Sequence, residues 1–426
     1  MSLRITAATA ALLVLGATPG AARAQSMPDM PDMPGMTMPD TNTSPQTSPS
    51  PSGMATPDAA AENGPMEGMV APEHGWMVMT HGQLSAVADH QSGPRGGDKN
   101  FIEGMVMIMA SHAIDDRDAI ELNAMLSPDP FMGKNGYPLL LQTGETADGI
   151  HPLIDRQHPH DLFMGLTATL THRLDGDAKA FVSAGYPGEF AFGPTAFMHR
   201  ASGEDFPTAP ISHHWLDSGH ITMGVVTAGL VKGPFAFEVS QFTGREPDQY
   251  RFNLDPIRLD STAARLTWTP LLAPLAGLKA QASWARQISP EALEPLVNLD
   301  KRSFSVEYVK GPLSSTLAYG WRKGEHEMAA ATDAWLFENR WRFNANWEGL
   351  ARFEHVDNDE LAPGVYPVAK IEIGGARHFD LGHGIGLAIG VVRQFNEVPN
   401  TLKPAYGPHP DGAVAFMTLS FHTMTM

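Results

Sequence analysis

From Trp76 to its end the chain alternates apolar and polar residues with period two, the repeat of extended strands whose two faces meet different surroundings. In KRSFSVEYVK (301–310) Phe304, Val306 and Tyr308 share one face, and Ser303, Ser305 and Glu307 the other. In LSSTLAYGWRK (313–323) Leu313, Leu317, Tyr319 and Trp321 oppose Ser314, Thr316, Ala318, Gly320 and Arg322. ATDAWLFENRWRF (331–343) sets Trp335, Phe337, Trp341 and Phe343 against Glu338, Arg340 and Arg342. NANWEGLARFEH (344–355) sets Trp347, Ala351 and Phe353 against Glu348, Arg352 and Glu354. One face is repeatedly aromatic and the other ionised.

The pattern predicts about sixteen strands, at 77–89, 100–112, 118–126, 161–173, 178–186, 220–231, 234–244, 257–269, 277–287, 300–310, 313–323, 332–343, 345–356, 367–379, 384–395 and 412–424. From 161–173 onward the connections alternate. Short ones fall at 174–177, 232–233, 311–312 and 344, and long ones at 187–219, 245–256, 288–299, 324–331, 357–366 and 396–411. A water-soluble sandwich would have to bury the Glu348–Arg352–Glu354 face. Short turns at one rim, long loops at the other and outward aromatics instead describe an all-β fold, an antiparallel transmembrane β-barrel of about 16 strands (14–16). The barrel is expected over residues 76–426, in the outer membrane.

The first 74 residues or so read differently. Arg4, the apolar run Ala7–Leu15 and the small residues Ala22 and Ala24 before Gln25 predict a signal peptide over 1–24. Residues 25–75 are rich in Pro, Ser, Gly and Met and cannot bury enough surface to offset ordering, which predicts a disordered tail on the periplasmic side. Met27, Met30, Met33, Met36 and Met38 crowd its start. With no core there to fill, their thioethers are candidate soft ligands that suit Cu(I), the alternative being a linker of biased composition.

Charge and cysteine content narrow the chemistry. A formal charge of −18 argues against a nucleic-acid partner. The absence of cysteine leaves imidazole, carboxylate and thioether as the available metal donors. Of 18 histidines, eight lie between His151 and His220. HPLIDRQHPHD (151–161) carries His151, Asp155, His158, His160 and Asp161 on a stretch that two prolines keep from coiling. In extended chain, His158 and His160 project to one side and could chelate together. PISHHWLDSGH (210–220) supplies His213, His214, Asp217 and His220, with His199 just before; adjacent His213 and His214 are expected to point apart. Each cluster directly precedes a strand of like direction, so strand parity puts both on the long-loop rim, in loops long enough to fold into the lumen. The set suits Cu, Zn, Ni or Fe, while Arg156, Arg200 and the aspartates could equally make a metal-free ion-paired plug.

Other features carry less. The loop TGREPDQYRFNLDPIRLD (243–260) is expected to pack at the rim, and His326, His355, His378, His383, His409 and His422 lack ligand spacing. In MVMIM (105–109), Met105, Met107 and Met109 face one way; core or lipid packing is the favoured role, although a Met ladder in a pore would also suit Cu(I). No HExxH, G-x-S-x-G or P-loop pattern appears, and no enzymatic activity or organic cofactor is expected.

DRQHPHDL (155–162), GPTAFMHR (193–200) and APISHHWLDS (209–218) together resemble a group of proteobacterial outer-membrane proteins associated with copper and heavy-metal resistance. More loosely, a Met-rich exported tail followed by a barrel is similar in architecture to the copper resistance protein B family. The resemblance implies copper handling, with outer-membrane lipid, metal ions and periplasmic copper-handling proteins as partners. The expectation is therefore a barrel that binds or passes copper. A general porin-like channel, selective through Arg340, Arg342 and Arg352, and a soluble periplasmic metalloprotein are the alternatives.

Overall fold

The computed structural model describes residues 75–325 and 330–425. The expected signal peptide, the tail with Met27, Met30, Met33, Met36 and Met38, and His326 lie outside the described residues. The strands are β1 (Met77–Gln91), β2 (Gly97–Ala113), β3 (Asp118–Leu126), β4 (Tyr137–Thr146), β5 (Pro152–Gln157), β6 (Phe163–Arg173), β7 (Ala178–Gly185), β8 (Val225–Lys232) and β9 (Phe235–Phe242). There follow β10 (Ser261–Trp268), β11 (Leu278–Gln287), β12 (Leu299–Lys310), β13 (Leu313–Gly324), β14 (Ala331–Asn344), β15 (Trp347–Asn358), β16 (Tyr366–Gly382), β17 (Ile385–Glu397) and β18 (Asp411–Thr425).

All but β4 and β5 form one closed antiparallel barrel of sixteen strands. Closure comes from β1 and β18, paired from Val78–Thr425 to Gln91–Gly412. Each strand pairs with its chain neighbours except at one point, where β3 pairs directly with β6 because the hairpin β4–β5 leaves the wall. The expected strand windows match this wall with two late starts. The wall strand expected from 220 begins at Val225, because Ser218–His220 closes a 3₁₀ turn. The strand expected from 257 begins at Ser261, because Thr243 Oγ1 accepts from Arg258 N and Gly244 N donates to Asp260, holding the chain in a loop.

The alternation resolves as lipid outside and ion pairs inside. Along β12 to β14, Phe304, Leu317, Trp335 and Trp341 are exposed on the outer wall. The intervening Ser305, Glu307, Thr316, Arg322, Glu338 and Arg340 are buried in the lumen. Short turns use glycine where left-handed backbone is needed: the repeated VKGP at 231–234 and 309–312 places Gly233 at φ +54° and Gly311 at φ +59°.

Two long loops occupy the lumen. The 187–219 loop crosses the inner wall, tied by Ala191 N to Ser240 (2.8 Å), Gly193 N to Ser283 (2.9 Å), Thr195 to Glu307, Arg200 to Glu338 (3.0 Å) and Ser212 to Glu354 (2.8 Å). The three to carboxylates are of the charged kind, which contribute roughly 1.5–3 kcal/mol each. The loop is fastened like an inner layer. The β4–β5 hairpin docks opposite it: Tyr137 Oη accepts from Ala209 N at 3.0 Å, and Asn358 donates to Thr143 at 3.1 Å.

Candidate metal centre in the barrel lumen

The two inward loops meet at a cavity of ≈ 20 Å³, walled by Glu145, His158, His160, Asp161, His213, His214, His220, Glu246 and Arg251 among others. About 10–15 Å³ suffices for one water, so the space admits a single ion or water. Five of the histidines read as candidates therefore converge from segments some fifty residues apart, as strand parity requires.

His160 and His220 are the closest pair, with Nε2 atoms 3.3 Å apart. The outer nitrogens decide what lies between them. His220 Nδ1 sits 2.7 Å from the Asp217 carbonyl oxygen, which can only accept, so Nδ1 carries the proton and Nε2 presents a lone pair. His160 Nδ1 stands 2.9 Å from an Asp129 carboxylate oxygen and is oriented likewise. Two lone pairs thus face each other across 3.3 Å. A shared cation relieves that repulsion, and two nitrogens ~2.0–2.1 Å from a tetrahedral ion would stand ~3.3 Å apart. Burial pushes His220 well below the usual imidazole range, so a metal suits the gap better than a proton. His213 repeats the arrangement, its Nδ1 donating to Asp217 Oδ1 at 2.7 Å, with its ring centroid 5.2 Å from that of His220. Outer-nitrogen partners of this kind fix the tautomer of metal-binding imidazoles.

A second donor group adjoins the first. Ligand atoms of His214, Glu246 and Glu291 all lie within 4.8 Å of one another. Among the described residues, His214 Nε2 and Glu246 Oε2 are buried without a hydrogen-bond partner. Burial pushes both carboxyls up, Glu291 strongly so, and depresses His214. Lys301 and Arg322 draw Glu246 partly back down, and Arg322 does the same for Glu291, but burial outweighs them, so the cluster still gains from a further cation. The His214 ring fits because Gly144, at φ +114°, has no side chain; a Cβ there would stand 2.4 Å from the ring. His158 Nε2 lies 3.2 Å from Glu145, whose carboxyl is pushed up to about 8 by burial although Arg251 contacts it. Glu145 itself is held at φ +60°, a left-handed conformation that side-chain-bearing residues seldom adopt.

The remaining candidates fall elsewhere. His151 is exposed and pairs with Asp148 at 2.7 Å. Asp155 is buried but engaged by Arg95, Tyr406 and the Leu141 N–H. Asp161 lines the cavity while paired to Arg251 at 3.2 Å, and His199 is buried outside that wall. Asp217 supports His213 and His220 and is held by Arg200 at 2.9 Å.

Two expectations need correction. His213 and His214 do not point apart in extended chain: they start a one-turn helix, His213–Leu216, and both line the cavity. The 243–260 loop is more than rim packing, since Glu246, Pro247 and Arg251 form part of the cavity wall. Sequence reasoning also missed Glu145 and Glu291. Neither has a histidine beside it, and only the tertiary fold brings them in.

No family model and no curated protein sequence matches the chain. Among solved structures, the fold is similar to Salmonella typhi OmpF in complex with daunomycin (TM-score 0.53, 11% identity, covering 81% of this chain and 97% of that one). It is also similar to a loop L8 deletion mutant of Vibrio cholerae OmpT (TM-score 0.51, 8% identity, 82% and 100% covered). A third is the anion-selective porin from Comamonas acidovorans (TM-score 0.51, 10% identity, 82% and 100% covered). At these identities the likeness is one of fold: a porin-type barrel.

Proposed function

We propose that this chain is an outer-membrane β-barrel that captures metal ions in its lumen, copper foremost, as part of metal homeostasis or resistance, and that it is not an enzyme. The carrying observation is the His160–His220 pair, two Nε2 lone pairs 3.3 Å apart with both outer nitrogens already engaged. Imidazole with flanking carboxylate suits Cu(II), Zn(II) and Ni(II), and for a given site of this kind Cu(II) binds tightest. The sequence resemblance to copper-resistance barrels points the same way. The Met-rich tail would add Cu(I) capture on the periplasmic side, with copper-handling proteins there as partners.

The test is metal titration of the full-length protein folded in detergent. Wild type is expected to bind Cu(II) above Zn(II) and Ni(II), and His160→Ala/His220→Ala to lose one equivalent. Unchanged stoichiometry in that variant would remove the reading. An anion-selective porin fits less well, because Arg340 and Arg352 do not face an open path as free cations. Arg352 pairs with Glu338 at 2.7 Å and Glu372 at 2.8 Å, and Arg340 pairs with Glu204 and Asp205.

A further inference from the structure

The lumen holds a second concentration of donors, of a different chemistry. Met79, Met105, Met107, Met109, Met125, Met164 and Met223 form one buried cluster with Ile221, and Met198 packs against it. The residues expected to serve as core or lipid packing therefore face inward: Met105, Met107 and Met109 are buried, while Ile102 and Ile108 of the same strand are exposed to lipid. Register aligns them. Met79 pairs across β1–β2 with Met109, His81 with Met107, and Met107 in turn with Met125 on β3. Paired side chains on one face start ~4.5–5.5 Å apart at Cβ, so flexible thioethers can converge on one ion. His81 Nε2 already contacts Met107 Sδ at 3.3 Å.

Methionine as gap-filler would be scattered wherever packing is irregular. Here it is segregated. The cluster built on Leu139–Leu141, Trp215 and Tyr406 has no buried methionine, and neither has that of Phe190, Phe192 and Phe242. Leucine or isoleucine would fill a smooth lumen wall as well as methionine does, so the sulfur itself needs a reason. A cavity of ≈ 50 Å³ opens beside the cluster, with Met105, Met164 and Met198 in its wall together with His160. His160 also stands in the wall of the histidine cavity. The two cavities are thus neighbours sharing His160, and Met105 and Met164 join the thioether cluster to the second of them.

We infer that the Met105–Met107–Met109–Met125 sector, with His81, is a site for a soft monovalent cation, Cu(I), separate from the imidazole site. It deepens the metal-capture reading, although its donors are distinct and it could stand if the imidazole site failed. Thioethers bind Cu(I) and Ag(I) and hold hard or borderline divalent ions weakly, so the two chambers divide ions by softness. No electron transfer is involved; the ion enters already reduced.

The test uses the full-length protein in detergent under anaerobic reducing conditions, with Cu(I) delivered from a bicinchoninate complex. Met107→Leu/Met109→Leu/Met125→Leu preserves volume closely and should fold, read by heat-modifiable gel mobility. It is expected to lose one Cu(I) equivalent while its Cu(II) titration is unchanged, and His160→Ala/His220→Ala to show the reverse. The N-terminal methionines contribute the same background to every variant. A folded triple variant that keeps every Cu(I) equivalent at wild-type affinity overturns the inference. If the variant fails to fold, wild-type protein labelled at its methionine methyls decides, with M107L assigning one signal. Ag(I) should shift the Met107 resonance at the first equivalents, and an unmoved resonance with Ag(I) in excess overturns the inference equally.

Discussion

Replacing Arg200 with methionine tests whether the 187–219 loop is a fastened inner layer or a loose insert. The Arg200 side chain is wholly buried; its Nε donates to Glu338 at 3.0 Å, and its Nη1 donates to Asp217 and to the Thr195 carbonyl, each at 2.9 Å. Removing one partner of a buried ion pair costs about 3–5 kcal/mol because the other charge is stranded. Both carboxylates keep a second partner, Glu338 through Arg352 at 2.7 Å and Asp217 through His213 at 2.7 Å. The cost therefore falls near the lower end, about 3 kcal/mol, or roughly a hundred-fold more undocked loop. The wall strands keep their own ladders and should not notice. Hydrogen exchange reads this directly, since amide protection in the loop follows its opening equilibrium. Loop amides should lose about two decades of protection in Arg200→Met, with those of β13–β15 unchanged. On the proposed function, with His213 and His220 as ligands from that segment, Cu(II) at ~100 times its dissociation constant should then restore about 2.7 kcal/mol of docking. Wild-type loop exchange in the variant would refute the fastening argument. Lost protection that copper fails to restore would instead favour a plug held by ion pairs alone.

Asp217→Asn removes the charge that orients His213 yet leaves Arg200 paired to Glu338, and should weaken Cu(II) binding about 10–100-fold by calorimetry. Leu317→Arg puts a charge on the outer face in the middle of β13, and should cost up to about 2–4 kcal/mol in unfolding measurements if that position lies near the bilayer midplane. Gly144→Ala drives a Cβ into the His214 ring and strains a positive φ, so it should disturb the imidazole site without altering heat-modifiable mobility; unchanged Cu(II) spectra would count against the placement of that ring. In a salt gradient across a planar bilayer the reversal potential should carry the cation-selective sign, because Arg340 and Arg352 are neutralised by partners.

The wall was legible because a barrel imposes one constraint at every strand position, lipid outside and polar inside, and Phe304, Leu317 and Trp335 obey it residue by residue. The convergence of the histidine clusters followed from strand direction alone, needing only that β6 and β8 run the same way. Local conformation inside the loops did not follow. The one-turn helix at His213 depends on backbone bonds within 210–217, and no periodicity survives over four residues to announce it. The β4–β5 hairpin hid for a related reason: with Leu139, Leu140 and Leu141 all buried, nothing alternates. Glu145, Glu246 and Glu291 looked like ordinary loop acids, since their burial is a property of the assembled lumen.

The positions that look redundant from the sequence, an inward acid on strand after strand, acquire a role once the loop is traced. Glu307, Glu338 and Glu354 on β12, β14 and β15 receive Thr195, Arg200 and Ser212 in turn, so the wall measures out the path of the loop. That path sets where His213, His214 and His220 come to rest, and those residues must meet His158 and His160, which a different loop delivers. Neither loop holds the full donor set, and β6 and β7 separate them in the chain. A metal ion therefore cannot organise this site in an unfolded chain as it does in small zinc domains, where binding and folding are one event. The barrel has to close first. An apo barrel with the long loop already docked is the state this construction requires, and the proposed metal capture would then meet a preformed set of lone pairs.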